Sequence, residues 1–520
     1  MTPLYHLRAG IIGTGFIGPV HIEALKRLGV QITAVCGSSK SARKIADLWG
    51  IPEVYGDYDH EAMYASPNVD VVHITSPNKA HVEQCLQALE MGKHVICEKP
   101  LGMTTSETAK VVEAVKKGGK KGPVFAVNYM CRFFPAVLQM RAMVERGDLG
   151  KIIHVQGQFF QDWLLHESDY NWRVIASEGG KLRAVGDIGT HWIDAVSFIL
   201  GAKAQSVFAH IETFHKTRLR PKGEVQTFAK VDPKTMVPYK VDTEDFGSVL
   251  LKFGKAKHGN ADGVHANASI SQVAAGSKCS LGLGIYGTKG SVRWDLQQPN
   301  EIMLGRRDEP NQILQRGTPG FMEDVANFTD YPPGHPEGFN DAHKMHYRAV
   351  YEHIASGKKT PAFFANAADG HHEVKLLLDS EGSYAHLGKI LFSEASVDAS
   401  TGMVSLRAEF PNPNHELLPG MFARARVVQA VQENAITIPQ RAVTRAAGGM
   451  GSVLIVDDSN HAQVRMVQTG EGIGDKWVII SGLKAGERVI VEGHLKAKPG
   501  SVVVPSPFVA AAESTTADKQ

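Results

Sequence analysis

The sequence predicts three regions: an α/β domain with a parallel sheet, an α+β domain with a large open sheet, and a C-terminal all-β segment. Apolar strands alternate with helical patterns over the first hundred residues, which is typical of parallel βαβ units. From Lys151 onward, short strand-like runs such as KIIHVQGQFF and FGSVLLKF indicate a mainly antiparallel sheet. After Gly388, strands follow at short spacing without helical patterns between them. We expect a last helix, near Asn340 to Ser356, to pack back on the first domain.

The size and charge of the chain limit the classes of protein to consider. With 520 residues it is too long for a single core. A hydrophobic content of 43% and a charged content of 21% are typical of a globular protein in water. The net charge is only +2 and no basic stretch is interleaved with aromatics, so we expect no nucleic-acid partner. No apolar run approaches the ~20 residues that a membrane helix needs, so we expect no membrane insertion.

The cysteines and the first residues favour a cytoplasmic location. The opening segment has no cationic stretch followed by a long apolar core, so we expect no secretory signal. The odd number of cysteines and the absence of a CxxC pair predict reduced thiols and no metal site. The five cysteines are Cys36, Cys85, Cys97, Cys131 and Cys279.

A glycine-rich turn, GTGFIG, follows the first strand and opens an amphipathic helix. Gly13 permits the tight turn, Gly15 lets the backbone approach a pyrophosphate, and Gly18 lets the helix pack on the strand. The helix N-terminus attracts the phosphate charge. This context predicts a Rossmann dinucleotide-binding domain, whose turn contacts the cofactor through Gly13, Gly15, Phe16, Ile17 and Gly18.

The end of the second strand predicts which nicotinamide cofactor is bound. NAD-binding domains usually place an acid there for the ribose hydroxyls, but this chain has Gly37. Hydroxyl and cationic side chains follow, and these suit the 2′-phosphate of NADP. We therefore expect NADP, with NAD as the alternative, because the loop would tolerate either if it is merely solvated. The candidate phosphate ligands are Ser38, Ser39, Lys40 and Arg43.

Two further strands end in polar residues at the edge where open α/β sheets bind ligands. A lysine that closes an apolar strand is often only solvated, but beside a dinucleotide fingerprint Lys99 becomes a candidate catalytic residue. The candidate cofactor contacts at these strand ends are Ser76, Pro77, Asn78, His81, Glu98 and Lys99.

An acid and a histidine occur four residues apart in the segment GDIGTHWIDAV. In an α-helix this spacing places Asp187 and His191 on one face, so that the carboxylate can orient the imidazole or adjust its charge. The alternative is structural: Asp187 caps the helix, and His191 is half buried beside Trp192.

The order of these motifs resembles the Gfo/Idh/MocA oxidoreductase family over about residues 7–388. The resemblance rests on GTGFIG with His21, TSPN with His81, EKP, NYMCRF, GGKLRAVGDIGTHWIDAV and GHPEGFNDAHKMHYRAVYEHI. It implies a Rossmann domain over residues 1–125 and a substrate and oligomerisation domain over residues 126–388. It also implies a homo-oligomer that forms through the open sheet.

The resemblance implies that Lys99, Asp187 and His191 are the catalytic residues. The substrate is then a sugar or polyol that loses a hydride to the nicotinamide. A histidine with a pKa near ~6.5 suits acceptance of the hydroxyl proton, and Lys99 stabilises the negative charge that develops on oxygen. Stacking and hydrogen bonding predict further substrate contacts, although Trp172 suits a core position equally well. These candidates are Arg132, Trp172, Arg173, His191 and His335.

The C-terminal segment resembles the adaptor (membrane fusion) subunits of RND-type efflux pumps over about residues 389–505. The resemblance implies a partial β-barrel over residues 389–428, a membrane-proximal-type β domain over residues 429–505 and a disordered tail over residues 506–520. The family's coiled-coil hairpin and lipoyl domain have no counterpart here. The residues that carry the resemblance are Asp398, Thr401–Gly402, Phe410–Pro413, Leu418–Met421, Ile438–Gln440 and Gly474–Trp477.

Three functions remain to be distinguished. The first is a sugar or polyol dehydrogenase that carries an adaptor fragment, and the presence of Lys99, Asp187 and His191 favours it. The second is an efflux-adaptor protein with a non-catalytic dehydrogenase-like domain, which would meet pump partners only if it were exported. The third is a cofactor-binding regulator without turnover.

Overall fold

A computed structural model describes residues 4–223, 232–371, 375–376, 389–397, 404–409, 436–445, 450–473, 476–494 and 496–508. The chain divides into two compact units, residues 1–421 and residues 422–520. The expected domain boundaries at 388/389 and 428/429 stay predictions. Residues 377–388, just before the first boundary, and the residues at the second boundary lie outside the described part.

The first unit opens with a six-stranded sheet whose strands are all parallel, in the order β3-β2-β1-β4-β5-β6. The predicted Rossmann domain is therefore confirmed. The strand order reverses between β1 and β4, which is where doubly wound sheets open a ligand crevice. The strands are β1 (Arg8–Ile12), β2 (Gln31–Cys36), β3 (Glu53–Tyr55), β4 (Val71–Ile74), β5 (His94–Cys97) and β6 (Phe125–Val127). The helices are α1 (Ile17–Arg27), α2 (Ser39–Trp49), α3 (His60–Ala65), α4 (Asn78–Glu90) and α5 (Thr105–Gly118).

The second sheet of this unit is open and has nine strands, in the order β16-β15-β14-β13-β7-β12-β11-β8-β17. Neighbouring strands are antiparallel except for β7 with β12 and β8 with β17. The expected open, mainly antiparallel sheet is therefore confirmed. A separate hairpin joins β9 (Thr217–Arg220) to β10 (Val237–Lys240). The sheet strands are β7 (Ile152–Phe160), β8 (Ala204–Glu212), β11 (Phe246–Phe253), β12 (His265–Ser271), β13 (Ser280–Gly287), β14 (Gly290–Asp295), β15 (Glu301–Gly305), β16 (Gln312–Gln315) and β17 (Lys375–Leu376).

The helices of this second domain pack on the sheet and carry the polar site residues. A π-helical turn, Val185–Gly189, leads into α8 (Thr190–Leu200). Trp192 anchors α8, because its indole N–H donates to the Gly282 carbonyl at 3.0 Å and its ring fills the space over Gly157. A Cβ atom at Gly157 would lie 2.2 Å from the indole nitrogen, so only glycine admits the ring there. The other helices are α6 (Pro135–Arg146), α7 (Ala176–Gly179), α9 (Glu323–Ala326) and α10 (Phe339–Ala355).

Helix α10 returns to the Rossmann sheet, as predicted. Arg27 of α1 and Asp341 of α10 form an ion pair at 2.7 Å. Deeper in the same contact, the Tyr351 hydroxyl lies 3.0 Å from Nε2 of His73 on β4. Both of these side chains are fully buried.

The C-terminal region is all-β in its described residues, as predicted. A two-stranded antiparallel sheet pairs β18 (Lys389–Val397) with β19 (Val404–Glu409). A second sheet has the order β20-β24-β23-β22-β21, with β25 beside β22, and it encloses a small apolar core around Val453 and Val467. The described strands close no barrel. The strands are β20 (Ile436–Pro439), β21 (Thr444–Arg445), β22 (Met450–Val456), β23 (Ala462–Ile473), β24 (Lys476–Ser481) and β25 (Arg488–Val489).

Several predictions for this region fall outside the described residues. They concern the tail beyond residue 508 and part of the residues that carry the resemblance to efflux adaptors, namely Asp398, 401–402, 410–413, 418–421 and 474–475. None of the described helices is both long and apolar enough to cross a membrane.

Candidate active site

The glycine-rich turn lies at the carboxyl end of β1, and its three glycines serve different purposes. Gly13 has φ +100°, and a Cβ atom there would lie 2.6 Å from the Thr75 carbonyl oxygen. A Cβ atom at Gly18 would lie 2.3 Å from the Gly13 carbonyl oxygen. At Gly15 a Cβ atom would meet no protein atom within 4 Å, so the space beside it is open to a ligand. No side chain caps α1, which leaves the N–H groups of its first turn to bind an anion.

The loop after β2 is joined to the glycine-rich turn through hydroxyl groups. Thr14 Oγ1 donates to Ser41 Oγ at 2.7 Å, and Ser38 caps α2. The Ser39 hydroxyl donates to Asp57 Oδ1 at 2.6 Å. Sequence reasoning missed Asp57, whose signal is an acidic residue directly after β3. Lys40 and Arg43 lie nearby on α2, and both are exposed.

The polar side chains of the loop after β4 form hydrogen bonds with other groups of the protein. The Ser76 hydroxyl donates to Gln84 Oε1 at 2.6 Å, and Pro77 precedes α4 as its N-cap. The Asn78 amide donates to the Gly179 carbonyl at 2.9 Å, which joins this loop to the second domain. The predicted cofactor contacts of Ser76, Pro77 and Asn78 stay predictions, since these side chains form the wall of the crevice.

His81 lies behind this wall rather than in the crevice. Its ring is 1% exposed, and its two nitrogens lie 2.8 Å from the carbonyl oxygens of Ser76 and Pro100. Carbonyl oxygens only accept hydrogen bonds, so both nitrogens can donate at once only when the ring is protonated. Burial acts to lower the pKa of His81, but Cys97 and the two carbonyls raise it to about 9. The predicted cofactor contact of His81 is therefore corrected: it ties together the loops after β4 and β5.

Glu98 also faces the interior, and its predicted contact with the cofactor stays a prediction. It is 6% exposed, its Oε2 accepts the backbone N–H of Lys99 at 3.1 Å, and its Oε1 lies 3.1 Å from Nε2 of His21. Asn128 also donates to this carboxylate. Burial acts to raise the pKa of Glu98, but the hydrogen bond with His21 and the charge of Lys99 hold it well below its usual range. Glu98 is therefore an anion directly beneath Lys99.

Lys99 and Asp187 form the centre of the site. Lys99 Nζ donates to Asp187 Oδ1 at 2.8 Å and to the Asp187 carbonyl oxygen at 3.0 Å. Arg173 Nε lies 3.1 Å from the same Oδ1, and Gln272 Nε2 donates to Oδ2 at 3.0 Å. Burial acts to raise the pKa of Asp187, but the charges of Arg173 and Lys99 outweigh it and hold this pKa well below its usual range.

His191 lies beside this pair without a hydrogen bond to Asp187, because Asp187 Oδ1 accepts from Lys99 and Oδ2 accepts from Gln272. The charge of Asp187 acts to raise the pKa of His191, so the expected influence of this carboxylate on the charge of the imidazole stays a prediction. The Nδ1 atom of His191 lies 3.7 Å from the Cys131 thiol, and the Tyr129 ring packs edge-on against the imidazole. Burial and the charge of Lys99 lower the pKa of His191 to about 3, well below the ordinary histidine value.

The remaining predicted substrate residues occupy three different environments. Trp172 and Arg173 are both partly exposed, with the guanidinium 4.3 Å over the indole ring, so Trp172 lies at a surface rather than in the core. Arg132 is 6% exposed and forms a two-pronged ion pair with Asp194, which corrects its prediction as a substrate ligand. His335 is exposed, and its carbonyl accepts from Arg316 beside β15 and β16, with no contact to Lys99, Asp187 or His191.

Acidic, histidine and cysteine side chains are not clustered for metal binding in the described residues. No group of three or more of them is placed to hold a metal ion there. The five cysteines are free thiols.

The fold and the site together define a class, an oxidoreductase with a dinucleotide-binding domain. The family model described as "Oxidoreductase family, NAD-binding Rossmann fold" matches residues 7–128, and the "GFO/IDH/MocA C-terminal domain" matches residues 137–293. This part of the chain belongs to the Gfo/Idh/MocA oxidoreductase family. The "RND MFPs, beta-barrel domain" matches residues 350–431, and the "RND MFPs, C-terminal permuted SH3 domain" matches residues 434–496. The chain therefore also carries efflux-adaptor domains.

Solved structures similar to the chain are dehydrogenases or oxidoreductases. An oxidoreductase domain protein from Kribbella flavida is 27% identical with a TM-score of 0.59, covering 71% of this chain and 94% of that one. Levoglucosan dehydrogenase in complex with NADH is 25% identical with a TM-score of 0.60, covering 70% and 93%. An inositol dehydrogenase homologue from Azotobacter vinelandii, complexed with NAD+, shares the fold at 23% identity and a TM-score of 0.60, covering 70% and 92%.

Curated relatives match the C-terminal region. Multidrug export protein AcrE of Escherichia coli is 49% identical over 130 residues, which are 25% of this chain and 34% of the relative. Multidrug resistance protein MexA of Pseudomonas aeruginosa is 42% identical over 166 residues, which are 32% of this chain and 42% of the relative. The chain thus spans between a third and a little over two fifths of the length of these relatives.

Proposed function

We propose that residues 7–388 form a nicotinamide-dependent dehydrogenase that oxidises a hydroxyl group of a sugar or polyol. The observation that carries this proposal is the buried Lys99–Asp187 ion pair, with His191 beside it, at the strand ends of a dinucleotide-binding sheet. The likeness to levoglucosan dehydrogenase and to the inositol dehydrogenase homologue supports the substrate class.

The residues fit a nicotinamide dinucleotide. Gly15 leaves open space for a pyrophosphate, and the uncapped start of α1 supplies N–H donors. When bound, the nicotinamide ring accepts the hydride. Lys99 donates a hydrogen bond to the substrate hydroxyl oxygen and stabilises the negative charge that develops there. Because its Nδ1 faces Cys131, neutral His191 has Nε2 available to accept the hydroxyl proton.

The decisive experiment is a panel of sugars and polyols, followed by the absorbance of the reduced cofactor. We expect at least one of them to give a rate that depends on both substrate and enzyme. Cofactor binding without any such rate would favour the regulator that lacks turnover.

The efflux-adaptor alternative rests on the domains matched at residues 350–496. It predicts association with pump subunits, which a pull-down against an RND transporter would detect. We propose instead a cytoplasmic protein, which its five free thiols support, and a homo-oligomer formed through the open sheet. Cell fractionation and size-exclusion chromatography test these two proposals.

We expect NADP to bind more tightly than NAD. No acid ends β2, and the exposed Lys40 and Arg43 are near enough in sequence to the Ser38 and Ser39 hydroxyls to meet a 2′-phosphate. The dissociation constants of the two cofactors, measured by fluorescence, give the ratio. Arg43→Ala is expected to weaken NADP binding more than NAD binding, with Lys44→Ala as the matched control on the same helix.

A substitution of Asp57 tests the preference for NADP in the opposite direction, by an expected gain in NADP affinity. Because its carboxylate binds Ser39, Asp57→Asn removes a negative charge from the loop and is expected to strengthen NADP binding. Equal or tighter NAD binding by the unaltered chain contradicts the prediction.

A chain that ends after Gly388 is expected to keep full activity and to aggregate less. It retains β17, which pairs with β8 and so completes the second sheet. It loses β18 and β19, which pair only with one another among the described strands, and unpaired strand edges can pair with other chains. The initial rate and the size-exclusion profile of both chains are the measurements. Loss of activity would mean that residues 389–421, which belong to the first unit, are integral to the enzyme.

A further inference from the structure

Gln272, which follows β12, is a buried polar residue that the mechanism above does not use. It is 0% exposed. Its backbone N–H donates to the Asp245 carbonyl at 3.1 Å, and its own carbonyl accepts from the Leu164 N–H at 3.2 Å. The backbone is therefore held on both sides before the side chain makes any contact.

The two ends of the Gln272 amide contact opposite charges. Its Oε1 accepts from Arg183 Nη1 at 3.2 Å, and its Nε2 donates to Asp187 Oδ2 at 3.0 Å. A guanidinium only donates and a carboxylate only accepts, so the amide has a single satisfied orientation. The donor end is thus directed at the carboxylate that binds Lys99.

Arg183 is itself held in place by a buried network. Its guanidinium binds Asp245, which also binds Arg218 at 2.7 Å, and all three side chains are 0–1% exposed. Such a network keeps its geometry because any displacement leaves a buried charge unpaired. The orientation of Gln272 is therefore fixed from the side opposite to Asp187.

We propose that Gln272 is a positioning residue that keeps Asp187 ionised and directed at Lys99 during sugar oxidation. The expected effect on kinetics rests on the proposed function, whereas the expected effect on the charge of Asp187 does not depend on it. Lys99 and Arg173 neutralise one oxygen of Asp187, and Gln272 satisfies the other. Without that donor, Asp187 Oδ2 would be buried and unpaired, which favours protonation.

Other charged groups around Asp187 come from every neighbouring element. Lys99 lies after β5, Arg173 in the turn at 172–174, and the titratable His191 on α8. Glu244 accepts the backbone N–H groups of Arg183 and Val185 at the start of the π-helical turn. Glu98 contributes from beneath Lys99. None of these residues changes in the variants below, so a shift reports on residue 272.

The test uses the full chain and the variant Gln272→Glu. The new carboxylate can still accept from Arg183 but faces Asp187 with an acceptor, and two carboxylates at this distance share one proton. Because Arg173 and Lys99 hold Asp187 ionised, the shared proton lies on the new carboxyl group, which then donates to Asp187 as the amide does. We therefore expect the ratio of kcat/KM between the variant and the unaltered chain to be at least tenfold lower at about pH 8, where both carboxylates are ionised, than at about pH 5. Gln272→Met, which removes the donor without adding charge, leaves Asp187 Oδ2 unpaired and should move the acid limb of the pH profile to higher pH.

Gln139→Glu is the matched control, because Gln139 is 1% exposed and bonds Gly320 and Met322 away from the site. It should leave the pH profile unchanged. An unshifted acid limb in folded Gln272→Met, or in folded Gln272→Glu a ratio of kcat/KM to the unaltered chain that does not change with pH, would overturn the proposal.

A second readout does not need activity. In Gln272→Glu the two carboxylates repel one another when both are ionised, so the loss of unfolding free energy should be larger at about pH 8 than at about pH 5. A loss that does not change with pH would show a packing role alone and overturn the proposal. If no sugar or polyol is oxidised but this pH dependence appears, the proposed function fails while the role of Gln272 in holding the charge of Asp187 stands.

Discussion

Lys99→Met is expected to lower kcat by about 10²–10⁴-fold with little change in cofactor affinity. The ammonium group is the donor best placed to stabilise charge on the substrate oxygen, and the methionine keeps the length of the side chain but cannot donate. Asp187 keeps Arg173 and Gln272 as partners, so the site should retain its shape. Steady-state kinetics on the substrate found in the panel, together with cofactor titration, measures both quantities.

Lys79→Met is the matched control for this loss. Lys79 pairs with Glu178 at 2.7 Å on the surface, where its side chain is 51% exposed, and its loss should leave kcat unchanged.

His191→Ala is expected to lower kcat by about 10²–10⁴-fold as well. The variant that combines Lys99→Met with His191→Ala should lose less than the sum of the two single losses, because both groups act on one proton transfer. Turnover near the normal value in Lys99→Met would rule out its role.

Asp245→Ala is expected to lower the free energy of unfolding by about 3–5 kcal/mol. Its carboxylate binds both Arg183 and Arg218, and none of the three side chains is more than 1% exposed. Removal of the carboxylate leaves two buried guanidinium groups close together without the acid that bridges them. Its Oδ2 also accepts the His215 N–H at 2.9 Å, a bond that would be lost as well.

Urea unfolding of the full chain, followed by circular dichroism, measures this change. Asp308→Ala is the control, since Asp308 and its partner Arg307 are more than 90% exposed and should contribute little. Asp245→Asn keeps the shape and tests charge alone. An unchanged transition in Asp245→Ala would show that the buried network does not contribute to stability.

Some of the site could be predicted because it depends on local patterns. The glycine-rich turn was found from the residue types that a strand, a tight turn and a helix start require, and the structure shows the close approaches that demand Gly13 and Gly18. The sequence places Lys99 at the carboxyl end of a strand. The carboxyl ends of all parallel strands lie at one edge of the sheet, so the location of Lys99 could be predicted. The fold class likewise follows from periodicity, which is a local property of the chain.

Other features depend on contacts between residues far apart along the chain. Arg132 and Asp194 are 62 residues apart, and the sequence carries no sign that they pair, so the pattern predicts Arg132 as a substrate ligand. The sequence predicts His81 as a cofactor ligand because its position at the strand edge is visible there, whereas the two carbonyls that bind it are not. Gln272 lies 85 residues from Asp187, so it carried no signal.

The sequence was therefore sufficient for the order of strands and helices, for the glycine-rich turn and for the lysine at the sheet edge. The reason is that periodicity, turn chemistry and strand ends act over a few neighbouring residues. Only the tertiary structure decided which charges are paired, which side chains are buried, and that Lys99 and Gln272 rather than His191 bind the Asp187 carboxylate. These properties arise from burial and from the fields of distant side chains, and both exist only once the chain has folded.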